Sequence, residues 1–233
     1  MGRKDRTPGV SEFLPTSVEE ANRHMPIKAV IFDLDGTITQ PYFDFDAIRA
    51  EIGLPKDGGP VLEAMEKMTA MERRRAEQIL HDHEDKALAA SQLNPGARET
   101  LGALRARGIR IGILTRNRKQ NAQAIADKHD LQFDAVVGRE DGPVKPDAFG
   151  VRHLCRHFDV HPCESLLVGD YLFDLQCARA AGAVPVLIAN HPQANRFAAE
   201  ADFQITRLDE LLAIVDEKAS LASGTRPDGG THA

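Results

Sequence analysis

Residues 28–37 read Lys28-Ala29-Val30-Ile31-Phe32-Asp33-Leu34-Asp35-Gly36-Thr37. Ala29 to Phe32 is a short apolar run whose β-branched members suit a covered, pleated position. The pattern predicts a buried strand over 29–32 that ends in two carboxylates, Asp33 and Asp35. Residues two apart on an extended backbone point the same way, so both acids are expected on one side. Gly36 frees the backbone to turn, and Thr37 adds a hydroxyl. Two like charges at a strand end repel unless a cation or a substrate uses them. Taken alone, the stretch also fits a plain polar exit from a strand.

Beyond Thr37 the period changes. Phe45, Ile48 and Ile52 lie at helical spacing, and Gly53-Leu54-Pro55 ends that helix. Val61, Leu62, Met65 and Met68 make a second apolar face, and Ile79, Leu80 and Ala87 a third. No strand pattern occurs between Asp44 and Ser91, so 40–92 reads as a small helical insert. The main domain resumes at Leu93, with Asn94 capping a helix and Pro95 in its first turn. Ala97, Leu101 and Leu104 are the buried stripe of that helix.

Strands and helices then alternate. Strands are expected over 109–114, 133–137, 165–168, 184–189 and 203–205. Helices are expected over 117–128, 147–158, 172–181 and 208–215, the first with Asn117 and Gln120 as a capping box. Repeated strand–helix units with short loops imply parallel pairing and right-handed crossovers. The fold class expected is therefore α/β, a three-layer Rossmann-like parallel sheet with a small all-helical cap insert. The predicted division is an arm at 1–26, a core at 27–39 and 93–217, a cap at 40–92, and a disordered tail at 218–233. The tail follows from the Gly, Ser, Pro and Thr that dominate from Ser220 onward.

Composition narrows the function classes. The 233 residues are 42% hydrophobic with a net charge of -6, which suits a globular domain and argues against a nucleic-acid partner. Trp is absent and there are 2 Tyr, so base-stacking platforms are not expected. No apolar run reaches the roughly 20 residues of a membrane span. The 3 cysteines lack CxxC spacing, which fits core thiols in a reducing, cytoplasmic compartment.

Ligands of open parallel sheets bind beyond the carboxyl ends of the strands. The residues expected there are Asp33, Asp35 and Thr37; then Thr115, Arg116 and Asn117; then Lys145; then Asp170 and Asp174. Such a set suits phosphoryl transfer, because a carboxylate approaches an anionic ester only when charge is neutralised. A hard divalent cation on oxygen ligands does that, and Mg²⁺ is the expected metal. Either Asp33 or Asp35 is placed to attack phosphorus. Thr37, Thr115, Arg116 and Lys145 are the candidate phosphate-binding residues. Arg116 reads equally as a substrate contact or as a brace for its loop.

These motifs resemble those of the haloacid dehalogenase (HAD) superfamily. Asp33-Leu34-Asp35-Gly36-Thr37 resembles its first motif, Ile113-Leu114-Thr115 its second, Lys145-Pro146 its third, and Gly169-Asp170-Tyr171-Leu172-Phe173-Asp174 its fourth. The insert is similar to the family's type 1 cap, although shorter than in typical phosphoglycolate phosphatase-like members. The resemblance implies Asp33 as nucleophile and metal ligand, and Asp35 as general acid and base whose carbonyl also meets the metal. It implies Asp170 and Asp174 as metal residues, and Thr115 and Lys145 as phosphate ligands. The implied activity is a Mg²⁺-dependent phosphatase on a small phosphorylated metabolite, from a monomer or homodimer. A sugar phosphomutase and a non-catalytic binding module on the same fold are the alternatives.

Other features read as structural. His81-Asp82-His83-Glu84-Asp85 and Arg73 to Arg75 are expected to be solvated helix faces. Met65, Met68 and Met71 are expected in the core of the cap. Glu140 and Asp141 either tune Lys145 or face water.

Overall fold

The computed structural model describes residues 25–223. The rest of the expected arm, 1–24, and of the expected tail, 224–233, lies outside the described residues. Among the described residues six strands form one parallel sheet: β1 Ala29–Phe32, β2 Arg110–Leu114, β3 Ala135–Val137, β4 Ser165–Gly169, β5 Val184–Ile188 and β6 Phe203–Ile205. Their order is β3-β2-β1-β4-β5-β6. β1 is central, with Ile31 opposite Gly112 on one side and Leu167 on the other.

The pleat sorts the β1 side chains between two layers. Val30 and Phe32 pack with Ile111, Ile113, Leu166, Val168 and Val186 under α4 (Ala97–Ala106), α5 (Lys119–His129) and α8 (Leu211–Ser223). Ala29 and Ile31 pack with Leu114, Leu167, Cys155 and Cys177 under α6 (Phe149–Phe158) and α7 (Leu172–Ala181). A strand covered on both faces needs a continuous apolar run, which is why 29–32 shows no alternation.

Between β1 and β2 lie the insert helices α1 (Phe45–Ile52), α2 (Val61–Met65) and α3 (Ala70–Ala90). They have a separate small core of Ile48, Val61, Met65, Ala76 and Leu80. The Asp44 carboxylate caps α1, accepting from Asp46 and Ala47 N–H at 3.1 and 3.0 Å, and Thr69 with Glu72 forms a capping box on α3. The outgoing and returning chains run side by side at the neck, with Thr39 bridged to Leu93 and Asn94 N–H donating to Ile38 O at 2.9 Å.

Several elements depart from the expected bounds. α8 continues to Ser223 rather than stopping near 215, and within the added turns Lys218 is buried with its ammonium over the Phe203 ring. Residues 218–223 are thus helix, not tail. Met71 is 75% exposed and takes no part in the insert core. Asn117 and Gln120 do not cap α5, which starts at Lys119 without a side-chain cap bond.

Candidate active site

The β1 end, the loops after β2, β3 and β4, and the insert enclose a cleft of about 830 Å³. Asp33, Asp35, Thr115, Arg116, Lys145, Asp170 and Asp174 all line it. Thr37 does not. It is fully buried beneath the loop, and its hydroxyl has no hydrogen-bond partner.

Lys145 joins two of the acids. Its ammonium lies 2.5 Å from Asp33 Oδ1 and 2.6 Å from Asp174 Oδ1, with all three side chains nearly enclosed. The second oxygen of Asp174 accepts the Tyr171 N–H at 3.2 Å. Two glycines make these approaches possible. A Cβ on Gly169 would sit 2.1 Å from the Asp174 carboxyl carbon. A Cβ on Gly36 would sit 2.3 Å from Asp170 Oδ2, and Gly36 also holds a positive φ of 92°.

The loop that carries Asp33 and Asp35 is pinned from two sides. Asn94 Nδ2 lies 2.7 to 3.0 Å from the carbonyls of Gly36, Thr37 and Thr39, and Asn190 Nδ2 donates to Gly36 O at 2.7 Å. Buried carbonyls left unpaired would cost about 1–3 kcal/mol each, so these amides help to hold the loop in its turn. Asn94 therefore braces the site rather than capping α4. Asn117 Nδ2 donates to Asp35 Oδ2 at 3.3 Å, while the Asn117 backbone N–H donates to Thr115 Oγ1 at 3.0 Å.

The electrostatics are those of crowded, buried acids. Burial pushes Asp33 up to about 7; the Lys145 ammonium opposes this, and Asp174 and Asp35 add to it. Burial likewise pushes Asp35 up to about 6, against the Asn117 hydrogen bond and with the Glu84 charge adding. Asp170 is raised well above the ordinary carboxylate range by burial and then by Asp33 and Asp174. Burial works against the charge on Lys145, but Asp174 and Asp33 together raise its pKa above the usual lysine range.

Oxygens of Asp33, Asp170 and Asp174 lie within 4.8 Å of one another. Lys145 balances one of those three potential charges. A hard divalent cation fits such an oxygen donor set, and it would favour the ionised forms that burial disfavours.

Arg116 sits at the rim of the cleft. It donates to both Glu63 oxygens at 2.8 and 2.6 Å and to the Lys145 carbonyl, and its guanidinium lies 4.8 Å from the centre of the Phe173 ring. Both terminal nitrogens of that fork are thus already turned to protein, which favours the bracing role. The acidic run of α3 also departs from expectation. Glu84 is not solvated; it is 3% exposed, lines the cleft and pairs with Arg118 and Arg139. His83 pairs with Glu51 at 2.5 Å. Asp141 accepts from Gly138 N–H and Glu140 from Lys119 N–H, so both shape the β3 loop rather than face Lys145.

Asn94 and Glu84 are functional candidates that periodicity missed, whereas Asn117, expected at the β2 end, is found there holding Asp35. Asn117 carried a signal in its place directly after the Thr115 loop. Glu84 and Asn94 carried none, because their partners lie 34 or more residues away.

Comparison with known proteins places this geometry. Residues 27–182 match the model of the haloacid dehalogenase-like hydrolases. The chain is similar to a haloacid dehalogenase-like hydrolase domain-containing protein of Arabidopsis thaliana, 31% identical over 178 residues that span 72% of this chain and 73% of that one. It is also similar to a phosphoglycolate phosphatase of Nitrosospira multiformis, 32% identical over 185 residues that span 68% of this chain and 82% of the relative. In fold it resembles a hydrolase from Pseudomonas syringae, with a TM-score of 0.70 at 21% identity, covering 82% of this chain and 98% of that structure. No helix among the described residues is long and apolar enough to cross a membrane.

Proposed function

The chain belongs to the haloacid dehalogenase-like hydrolase family, and from that premise we propose that it is a Mg²⁺-dependent phosphatase of a small phosphate monoester. The observation that carries the reading is Asp35, a second carboxyl in the same cleft as Asp33, held by Asn117. A nucleophile alone serves many displacements. A proton donor beside it serves those whose leaving group is a poor one, such as the alkoxide of an ester.

The reaction follows from the residues. Asp33, ionised, attacks phosphorus, and the ester P–O bond breaks. The departing oxygen takes a proton from the carboxyl of Asp35. The product is an aspartyl phosphate on Asp33 and a free alcohol. Asp35, now a carboxylate, takes a proton from water as that water attacks the same phosphorus. The acyl–phosphate bond breaks, inorganic phosphate leaves, and Asp33 is restored. Lys145 offsets the charge between Asp33 and the phosphoryl oxygens, and the Thr115 hydroxyl at the β2 end is available to those oxygens. Mg²⁺, held by Asp33, Asp170, Asp174 and the carbonyl of Asp35, would neutralise charge on the phosphoryl group. Tyr171 and Phe173 on the core and Phe43, Phe45 and Leu62 from the insert side line the outer cleft, where the alcohol part of the ester would lie. The insert is accordingly proposed as the cap that selects substrate.

Because relatives are named phosphoglycolate phosphatases, phosphoglycolate heads the panel of esters to test, together with a chromogenic aryl phosphate. Mg²⁺-dependent release of phosphate that is lost in Asp33→Asn is the expected result. A folded wild type inactive across the panel would exclude the reading. Turnover only with a bisphosphate activator and a sugar phosphate would make the enzyme a mutase.

A further inference from the structure

Glu84 belongs to α3 of the insert, yet its side chain is enclosed by the core. Arg118 Nε donates to its Oε2 at 2.7 Å, and the two terminal nitrogens of Arg139 donate to Oε1 and Oε2. Arg118 also reaches Asp85 Oδ1 at 2.5 Å and the His81 carbonyl at 3.4 Å. A buried carboxylate between two guanidiniums is expensive to break, because removing one partner strands the others. Both arginines are therefore held firmly wherever α3 is docked.

Both arginines are also tied to one residue, Asn117. The backbone N–H of Arg118 donates to Asn117 Oδ1 at 2.7 Å, and the backbone N–H of Arg139 donates to the Asn117 carbonyl at 3.0 Å. With its side-chain oxygen committed to Arg118, the Asn117 amide has its NH₂ turned toward Asp35 Oδ2, 3.3 Å away. A continuous path of contacts thus runs from the insert through Glu84, the two arginines and Asn117 to Asp35.

We propose that Glu84 is a positioning residue for proton transfer: its contacts with Arg118 and Arg139 orient Asn117, which aims the Asp35 carboxyl at the leaving oxygen. The inference rests on the reading of Asp35 as proton donor. A separate ion pair between insert and core, Glu63 with Arg116, leads to the Lys145 carbonyl and not to Asp35. Loss of insert docking alone and loss of Asp35 positioning therefore have separate signatures.

The test compares kcat/KM, in Mg²⁺, for an aryl phosphate and for the best alkyl phosphate of the panel. An aryl oxygen leaves with little protonation, so the alkyl-to-aryl ratio reports on proton donation. Glu84→Gln is expected to lower that ratio about tenfold or more. Glu63→Gln should leave it within about twofold, and Asn117→Ala combined with Glu84→Gln should lose little beyond Asn117→Ala alone. Arg139→Gln should reproduce the Glu84→Gln ratio, and it carries the test if Glu84→Gln fails to fold by thermal melting. An unchanged ratio in a folded Glu84→Gln or Arg139→Gln, or an equal fall in Glu63→Gln, overturns the inference and leaves the phosphatase reading standing. A wild type inactive on both esters overturns both.

Discussion

The carboxylate of Asp170 occupies the space that a side chain on Gly36 would fill, with Oδ2 2.3 Å from the position of a Cβ there. The two residues sit on different strand-end loops, 134 positions apart, and the tight approach brings Asp170 beside Asp33. Gly36→Ala should therefore displace Asp170 and strain a backbone with φ near 92°. A stability loss of about 1–2 kcal/mol is expected from the left-handed backbone alone. A weaker response to Mg²⁺ should accompany it, read as a rise in the Mg²⁺ concentration for half-maximal activity. A variant with wild-type Mg²⁺ dependence would mean that Asp170 does not hold the metal.

Chelation should stop hydrolysis, and Mg²⁺ should restore it. Ca²⁺ should restore it poorly, because its larger and looser shell distorts a compact oxygen site. Binding is readable without turnover: Mg²⁺ should raise the melting temperature of the wild type, as any ligand of the folded state does, and Asp170→Asn should abolish that rise. Full activity after thorough chelation would rule the metal out.

Asp35→Asn should reduce kcat most for esters with poor leaving groups, by about 10²–10⁴-fold, and less for aryl phosphates. An amide of the same shape still accepts from Asn117 but supplies no acidic proton. Equal losses on both ester types would contradict the assignment of Asp35 as proton donor.

The metal-free protein should lose stability as pH rises through the range of its buried acids. Asp33 is pushed up to about 7 and Asp35 to about 6, burial being the first cause of each. Free carboxyls in an unfolded chain titrate near 3.9, roughly. Between those values the folded protein binds more protons than the unfolded one, so stability falls with increasing pH. The contribution is complete below about pH 4 and is lost through pH 6 to 7. Urea melts in chelator at pH 5, 6, 7 and 8 would measure this. Saturating Mg²⁺, which favours the ionised forms, should flatten the trend, and a stability that rises with pH in chelator would disprove it.

Much of the molecule was legible in the chain because its signals are local. An apolar run that stops at Asp33, or one that stops at Gly169-Asp170, marks a strand end without reference to any other part of the chain. The alternation of strand and helix then implies parallel pairing, and the parallel sheet gathers those ends along one edge. Helix α7 matched its expected bounds, and the β1 bounds held to the residue. Burial and pairing were less legible. Glu84 and Met71 sit on the same insert helix, and composition assigns the acid to solvent and the methionine to a core. The structure reverses both, since Arg118 and Arg139 enclose Glu84 while Met71 stays exposed.

The sequence by itself determined the period of each segment, the class of the sheet and the chemistry carried to its edge: Asp33, Asp35, Thr115, Lys145, Asp170 and Asp174. These follow from neighbours in the chain, where spacing alone sets which side chains share a face. Only the tertiary structure decided the strand order, the bridging of Asp33 and Asp174 by Lys145, and the diversion of Asn94 and Asn117 from helix capping to the loops around Asp33 and Asp35. It also decided that Thr37 lies beneath the cleft rather than in it. Those outcomes depend on which desolvated polar groups meet across long stretches of chain, and a buried amide or carboxylate goes where its hydrogen bonds can be completed.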